Sequence, residues 1–133
     1  MKVHNYELID EKVYEHELDN GLKLFIIPKP GFQKTFVTYT TQFGSLDNHF
    51  KPIGSQQFVK VPDGVAHFLE HKLFEKEEED LFTAFAEENA QANAFTSFDR
   101  TSYLFSATSN IESNIKRLLD MVETPYFTEE TVN

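Results

Sequence analysis

Residues 65–74 read VAHFLEHKLF and decide the fold assignment, because the hydrophobic period changes from strand-like to helical at this point. Asp63, in front of Gly64, is the predicted N-cap of a helix. Apolar side chains cover most of the circumference of that helix, at Val65, Phe68, Leu69 and Leu73. A helix that is apolar nearly all round is typical of a protein interior, so we predict that this helix is buried.

The same helix carries two histidines and a glutamate in a spacing that suits metal chemistry. His67 and His71 are four residues apart, so both can point at one ion from one helix face. Glu70 projects about 100° away from His71, close enough to take a proton from water beside the metal. The alternative is an exposed helix on which these side chains form only surface pairs. The predicted burial favours the metal site, because buried histidine and glutamate need partners.

Composition limits the other function classes. The 133 residues suffice for one domain with a core, and the net charge is −10, from 12 basic and 22 acidic residues. That charge argues against binding nucleic acid or anionic membranes. There is no cysteine, so a transition-metal site must use histidine and carboxylate. No secretory signal or apolar run of membrane-spanning length is present, which predicts a cytoplasmic protein.

Strand signals precede the helix. Residues 13–28 hold two strand-like runs around Asn20-Gly21, which predicts a hairpin. Residues 35–43 are β-branched and aromatic and predict a third strand. Residues 44–62 contain two glycines and two prolines and predict a long loop.

Helices and strands alternate after residue 74. The charged run 75–80 predicts a helix boundary, residues 81–90 a second helix, and residues 91–99 and 101–108 a strand pair. Ser109 and Glu112 form a capping box before the clearest amphipathic helix, which Pro125 stops. Another helix begins at Thr128-Glu129-Glu130 just before the sequence ends, so we expect a fragment of a longer protein.

These elements predict an α+β fold, with an antiparallel-rich sheet and helices packed on one of its faces. Five phenylalanines of the second half are predicted core residues, namely Phe74, Phe82, Phe85, Phe95 and Phe105.

Several motifs together resemble one enzyme family. His67-x-x-Glu70-His71 is the H-x-x-E-H signature of the inverzincins. HFLEHKLF resembles the helix of the pitrilysin-type zinc peptidases, the superfamily of insulin-degrading enzyme and the mitochondrial processing peptidase, and in particular a bacterial processing-protease-like subgroup. The resemblance extends over nearly the whole chain, through LDNGLKLFIIP, Asn93-Ala94-Phe95-Thr96 and Thr101-Ser102-Tyr103.

The resemblance implies a zinc-dependent metalloendopeptidase that hydrolyses peptides or small unfolded proteins. His67 and His71 would ligate one zinc ion, and Glu70 would be the general base. Asn93 and Ala94 would lie on an edge strand that pairs with the substrate backbone. Read without the resemblance, those two residues are an ordinary strand with one polar side chain.

The third zinc ligand of the family is a glutamate on a later helix. Its expected place lies beyond Asn133, since Glu123, Glu129 and Glu130 come too early to match it. Residues 1–133 are therefore expected to be the N-terminal portion of the first metallopeptidase domain, inactive by itself.

The family also implies a homo- or heterodimer with a related chain, because active and inactive chains are often paired. Two alternatives follow. One is a non-catalytic subunit of a paired processing-protease-like complex, against which the intact His67, Glu70 and His71 argue. The other is an interaction domain whose histidines are incidental. Measuring the metal content would distinguish the interaction domain from the enzyme and the inactive subunit. Measuring peptide turnover by the full-length protein would distinguish the enzyme from the inactive subunit.

Overall fold

A computed structural model of the chain describes residues 1–77 and 79–132. The chain divides into two units, of which the first is residues 1–33 and the second begins at residue 34. The first unit is a three-stranded antiparallel sheet in the order β1-β2-β3, formed by Lys2–Tyr6, Glu11–Glu17 and Lys23–Ile26. A short 3-10 turn at Glu7–Ile9 joins the first two strands. Strand β1 was not predicted from the sequence.

The predicted hairpin is confirmed between β2 and β3. Gly21 has φ +87°, a left-handed conformation that glycine adopts without steric cost, and its N–H donates to the Leu18 carbonyl at 2.8 Å. The Asn20 side chain accepts from the Leu22 N–H at 3.0 Å. The turn signal in the sequence therefore corresponds to a closed turn in the fold.

The second unit is built on another antiparallel sheet, whose strands are β4 (Thr35–Thr41), β7 (Ala90–Thr96) and β8 (Thr101–Ala107). Their order in the sheet is β4-β8-β7. The predicted long loop contains a ribbon of two short strands, β5 (His49–Phe50) and β6 (Val59–Lys60). The helices are α1 (Val65–Leu73), α2 (Leu81–Glu87), α3 (Ile111–Glu123) and α4 (Glu129–Val132).

One face of this sheet carries the core. Side chains of β7 and β8 pack there against the helices and form a cluster made of Phe74, Leu81, Ala84, Phe85, Ala90, Tyr103, Phe105, Ala107, Leu118 and Met121. The α+β prediction, with helices on one face of an antiparallel sheet, is confirmed. Two predicted core residues are wrong, since Phe82 and Phe95 are 47% and 46% exposed. Phe95 alternates onto the sheet face opposite the helices.

Helix α1 is buried on one sector only, so the prediction of a helix buried all round is wrong. Ala66 and Lys72 are buried, Leu69 and Leu73 are half-buried, and His67, Phe68 and His71 are exposed. Within the second unit, the sheet covers one side of α1, and the opposite side is exposed. The burial argument for the metal site therefore fails, because the two histidines lie on the exposed side.

Two predicted caps are also wrong. Gly64, with φ +87°, is the N-cap of α1, while the Asp63 carboxylate instead accepts from the Asn48 side chain at 2.9 Å. Asn110 precedes α3 without a side-chain cap, so the predicted capping box does not form, and Glu112 pairs with Lys116 one turn later. Within the described residues, no helix is both long enough and apolar enough to cross a membrane.

The segment that follows β4 packs tightly on the turn between β7 and β8. The Ser45 N–H donates to the Ser97 carbonyl at 2.9 Å, and Thr101 Oγ1 donates to the Phe43 carbonyl at 2.8 Å. Gly44 lies between them, and a Cβ placed on it would be 2.5 Å from the Arg100 nitrogen. Because those neighbours are backbone atoms of a closed turn, only glycine fits.

We expect Gly44→Ala to destabilise the chain by about 1–3 kcal/mol, the usual cost of overpacking at a rigid site. Urea unfolding followed by circular dichroism measures it. Ser45→Ala is the matched control, because it keeps the backbone hydrogen bond to Ser97 and should leave the unfolding midpoint nearly unchanged. Equal stability of Gly44→Ala and the parent would show that the turn can move away.

Candidate active site

The two histidines of α1 form a stacked pair on the exposed side of the helix. Their Nε2 atoms are 2.8 Å apart, and the ring planes lie 13° from parallel with centroids 4.8 Å apart. A helix brings residues i and i+4 together in this way because they are one turn apart. Both imidazoles thus present the same nitrogen to the same point in space.

This donor arrangement fits two of the ligands of a zinc ion. Zinc–imidazole bonds of about 2.0–2.1 Å in tetrahedral geometry need donor nitrogens somewhat more than 3 Å apart, which a small rotation of either ring would give. No group of three histidine, aspartate or glutamate side chains placed to hold a metal occurs among residues 1–77 and 79–132. The described part of the chain therefore offers two nitrogen donors at this point.

Glu70 reaches from α1 to the end of β7. Thr96 Oγ1, on the last residue of that strand, donates to Glu70 Oε2 at 2.5 Å. Within the described residues, Glu70 accepts no other hydrogen bond. The carboxylate is half-buried between α1 and the sheet and is held at one oxygen.

Tyr103 is a buried residue of the core. Its side chain is 4% exposed, and burial raises the pKa of its phenol to about 12, with a smaller contribution from the negative charge of Glu70. The phenol is therefore neutral at physiological pH.

Strand β7 has an open edge beside this helix. In an antiparallel pair, hydrogen-bonded and non-hydrogen-bonded residues alternate. The Ser97 N–H donates to the Arg100 carbonyl at 2.8 Å, so Ser97 is a hydrogen-bonded position. Counting back by twos along β7, Phe95 and Asn93 also bond to β8. Ala94 lies between them and directs its N–H and carbonyl to the open edge. In this structure the Ala94 N–H donates to Asn93 Oδ1 at 2.8 Å.

The predicted site residues thus fall into two groups. His67, Glu70 and His71 lie on one helix, and Ala94 lies on the sheet face that this helix covers. The side chain of Asn93 is exposed on the opposite face and reaches only the strand edge. The sequence predicted no role for Thr96 or Tyr103, although they end the motifs Asn93-Ala94-Phe95-Thr96 and Thr101-Ser102-Tyr103. Their proximity to Glu70 comes from the packing of α1 on the sheet.

The buried phenol of Tyr103 predicts a loss of stability in alkali. A phenol with a folded pKa near 12 and an unfolded pKa near 10 stabilises the fold below about pH 10, and this stabilisation is lost as the pH rises toward 12. A phenolate absorbance titration should show a late step that disappears in Tyr103→Phe and persists in Tyr6→Phe, a control at an exposed tyrosine. Loss of the late step in the control alone would contradict the assignment.

Comparison with known proteins identifies the family of the chain. The model of the insulinase family of peptidases, family M16, matches residues 52–133. The uncharacterized zinc protease YmfH of Bacillus subtilis is 55% identical over 127 residues, which are 96% of this chain and 30% of YmfH. Human insulin-degrading enzyme is 30% identical over 121 residues, 85% of this chain and 11% of that enzyme.

A solved structure from Alicyclobacillus acidocaldarius, described as an M16-like peptidase, superposes with a TM-score of 0.85 at 40% identity. The match covers 92% of this chain and 28% of the solved one. The chain thus spans less than a third of the length of each of these proteins. The matched family model, the identity to YmfH and the shared fold together show that the chain belongs to the insulinase family of peptidases, M16.

Proposed function

We propose that the protein containing this chain is a zinc-dependent metalloendopeptidase that hydrolyses peptides or small unfolded proteins. The observation that carries the proposal is on α1, where the Nε2 atoms of His67 and His71 are 2.8 Å apart and Glu70 accepts from Thr96 at the end of the edge strand β7. The names of YmfH, a zinc protease, and of insulin-degrading enzyme support the same reaction class. Its products would be shorter peptides.

His67 and His71 would hold the zinc ion through their Nε2 atoms. When bound, zinc supplies Lewis acidity, which makes water a nucleophile near neutral pH and polarises the scissile carbonyl. Glu70 accepts a proton from the attacking water at Oε1, the oxygen that Thr96 leaves free, and delivers it to the departing amine.

The remaining zinc ligand would come from a glutamate beyond Asn133. Catalytic zinc commonly takes three protein ligands and one water, and the described residues provide two. Residues 1–133 would then be the N-terminal portion of the first metallopeptidase domain. A chain of this extent should bind zinc weakly and lack turnover.

The substrate would pair with the open edge of β7. A peptide that adds as a further strand needs free backbone donors and acceptors, which Ala94 directs away from β8. In the free chain the Ala94 N–H donates to Asn93 Oδ1. A peptide that bonds to this N–H therefore has to displace the Asn93 side chain. The Asn93 amide would then be released to bond the bound peptide.

In the full-length protein, Glu70→Gln should lower peptide hydrolysis at least ~10²-fold while zinc content barely changes, because it removes the base and keeps the shape. His71→Ala should lose the zinc. His49→Ala is the matched control, since that exposed histidine lies outside the pair and should leave both metal and turnover unchanged. Elemental analysis and cleavage of a quenched fluorescent peptide give the two readouts. Near-normal turnover by Glu70→Gln would refute the assigned role.

Ala94→Pro tests the edge strand in the full-length protein. Proline removes a backbone N–H that does not bond to β8, and edge positions tolerate it. We expect kcat/KM to fall about tenfold or more, because one backbone hydrogen bond is lost and the ring obstructs the approaching peptide.

Phe95→Pro provides the contrast, because the Phe95 N–H bonds to β8 and its loss should lower the melting temperature. A folded Ala94→Pro protein with unchanged kcat/KM would show that peptides do not pair with this edge.

A further inference from the structure

We propose that Thr96 is a positioning residue, whose hydroxyl orients the Glu70 carboxylate for proton transfer. This inference rests on the proposed role of Glu70 as the general base. Thr96 Oγ1 lies 2.5 Å from Glu70 Oε2, a short separation typical of a hydroxyl that donates to an ionised carboxylate. The bond joins residues 26 positions apart, one on the helix and one on the strand.

The strand end that carries Thr96 is held firmly. Ser97 donates to the Arg100 carbonyl at 2.8 Å, which closes the turn directly after β7. Thr96 lies opposite Thr101 of β8 in the register, so the strand is paired up to its last residue. Threonine is also stiff about χ1, since two heavy atoms are attached to its Cβ. The hydroxyl therefore has a nearly fixed position in space.

The carboxylate, by contrast, ends a flexible side chain. Glutamate has three rotatable bonds, and no other described group hydrogen-bonds to Glu70. Neither imidazole of the α1 pair does so, and their Nε2 atoms contact each other. The bond from Thr96 occupies Oε2 and leaves Oε1 as the proton acceptor. Without it, the carboxylate would sample several rotamers, and fewer would be productive.

A purely structural bond would have the same geometry, so the test must separate positioning from stability. In the full-length protein, Thr96→Val keeps the shape and loses the hydroxyl, whereas Thr96→Ser keeps the hydroxyl. Thr101→Val is the matched control, because it removes a neighbouring hydroxyl that bonds to backbone instead of Glu70. Zinc content, melting temperature, kcat and KM are measured for each variant.

We expect Thr96→Val to lower kcat about 10- to 100-fold with KM within about twofold and zinc content unchanged. Thr96→Ser should recover most of the loss, and Thr101→Val should keep kcat near the parent value. Unchanged kcat in Thr96→Val would overturn the proposal. An equal fall in kcat for Thr96→Val and Thr101→Val, in step with melting temperature, would also overturn it.

A second readout does not depend on activity. Crystal structures of the metal-free parent and of Thr96→Val should show Glu70 in one rotamer in the parent and in several in the variant. If the parent lacks zinc-dependent hydrolysis, the proposed function fails, and these structures still decide whether Thr96 orients Glu70. A single, unmoved Glu70 rotamer in Thr96→Val would reject the positioning role whatever the activity.

Discussion

The stacking of Phe85 on Phe105 is the contact on which the second unit depends. Both rings are fully buried, with centroids 5.8 Å apart, and they join α2 to the central strand β8. Arg117 of α3 lies over the Phe85 ring, 5.7 Å from its centroid, and donates to the Ala84 carbonyl. Because burial of large aromatic rings contributes most to a core of this size, these contacts fix which sheet face the helices cover.

Covering one face fixes the orientation of α1. The helix places a sector that includes Ala66 and Leu69 toward the sheet, so the opposite sector, with His67 and His71, faces outward. Glu70 lies at the border between the two sectors. It can therefore reach Thr96 on the sheet and still be close to the space beside the histidines. A proton acceptor that must be both held and accessible suits such a border position.

The side chains and the backbone groups of β7 point in different directions. Side chains alternate between the faces of the sheet, so Ala94 and Thr96 pack on the helix side while Asn93 and Phe95 lie on the other. Backbone groups alternate within the plane, so Ala94 exposes its N–H and carbonyl at the open edge. Small side chains at Ala92 and Ala94 also leave room for α1. A peptide that paired with the edge, as proposed, would leave the hydrogen bond from Thr96 to Glu70 in place.

Local patterns in the sequence predicted most of the helices and strands of the second unit. The β7–β8 pair, the helices around residues 81–87 and 111–123, and the α+β class follow from hydrophobic period and turn residues, which act over short stretches of chain. The spacing of His67, Glu70 and His71 likewise placed the three side chains on one helix. Caps were less predictable, because Asp63 and Ser109 have competing partners or none.

Tertiary packing alone decided which side of α1 is inside. Polarity predicts Phe68 buried and Lys72 exposed, yet Phe68 is 42% exposed and Lys72 only 4%, with its ammonium group paired to Glu75. Both residues lie on a helix whose rotation about its axis is set by the sheet beneath it. The partnership of Glu70 with Thr96 and Tyr103 depends on the same rotation. The sequence determines the spacing of apolar side chains along a helix. The surface against which the helix packs determines which of its side chains are buried.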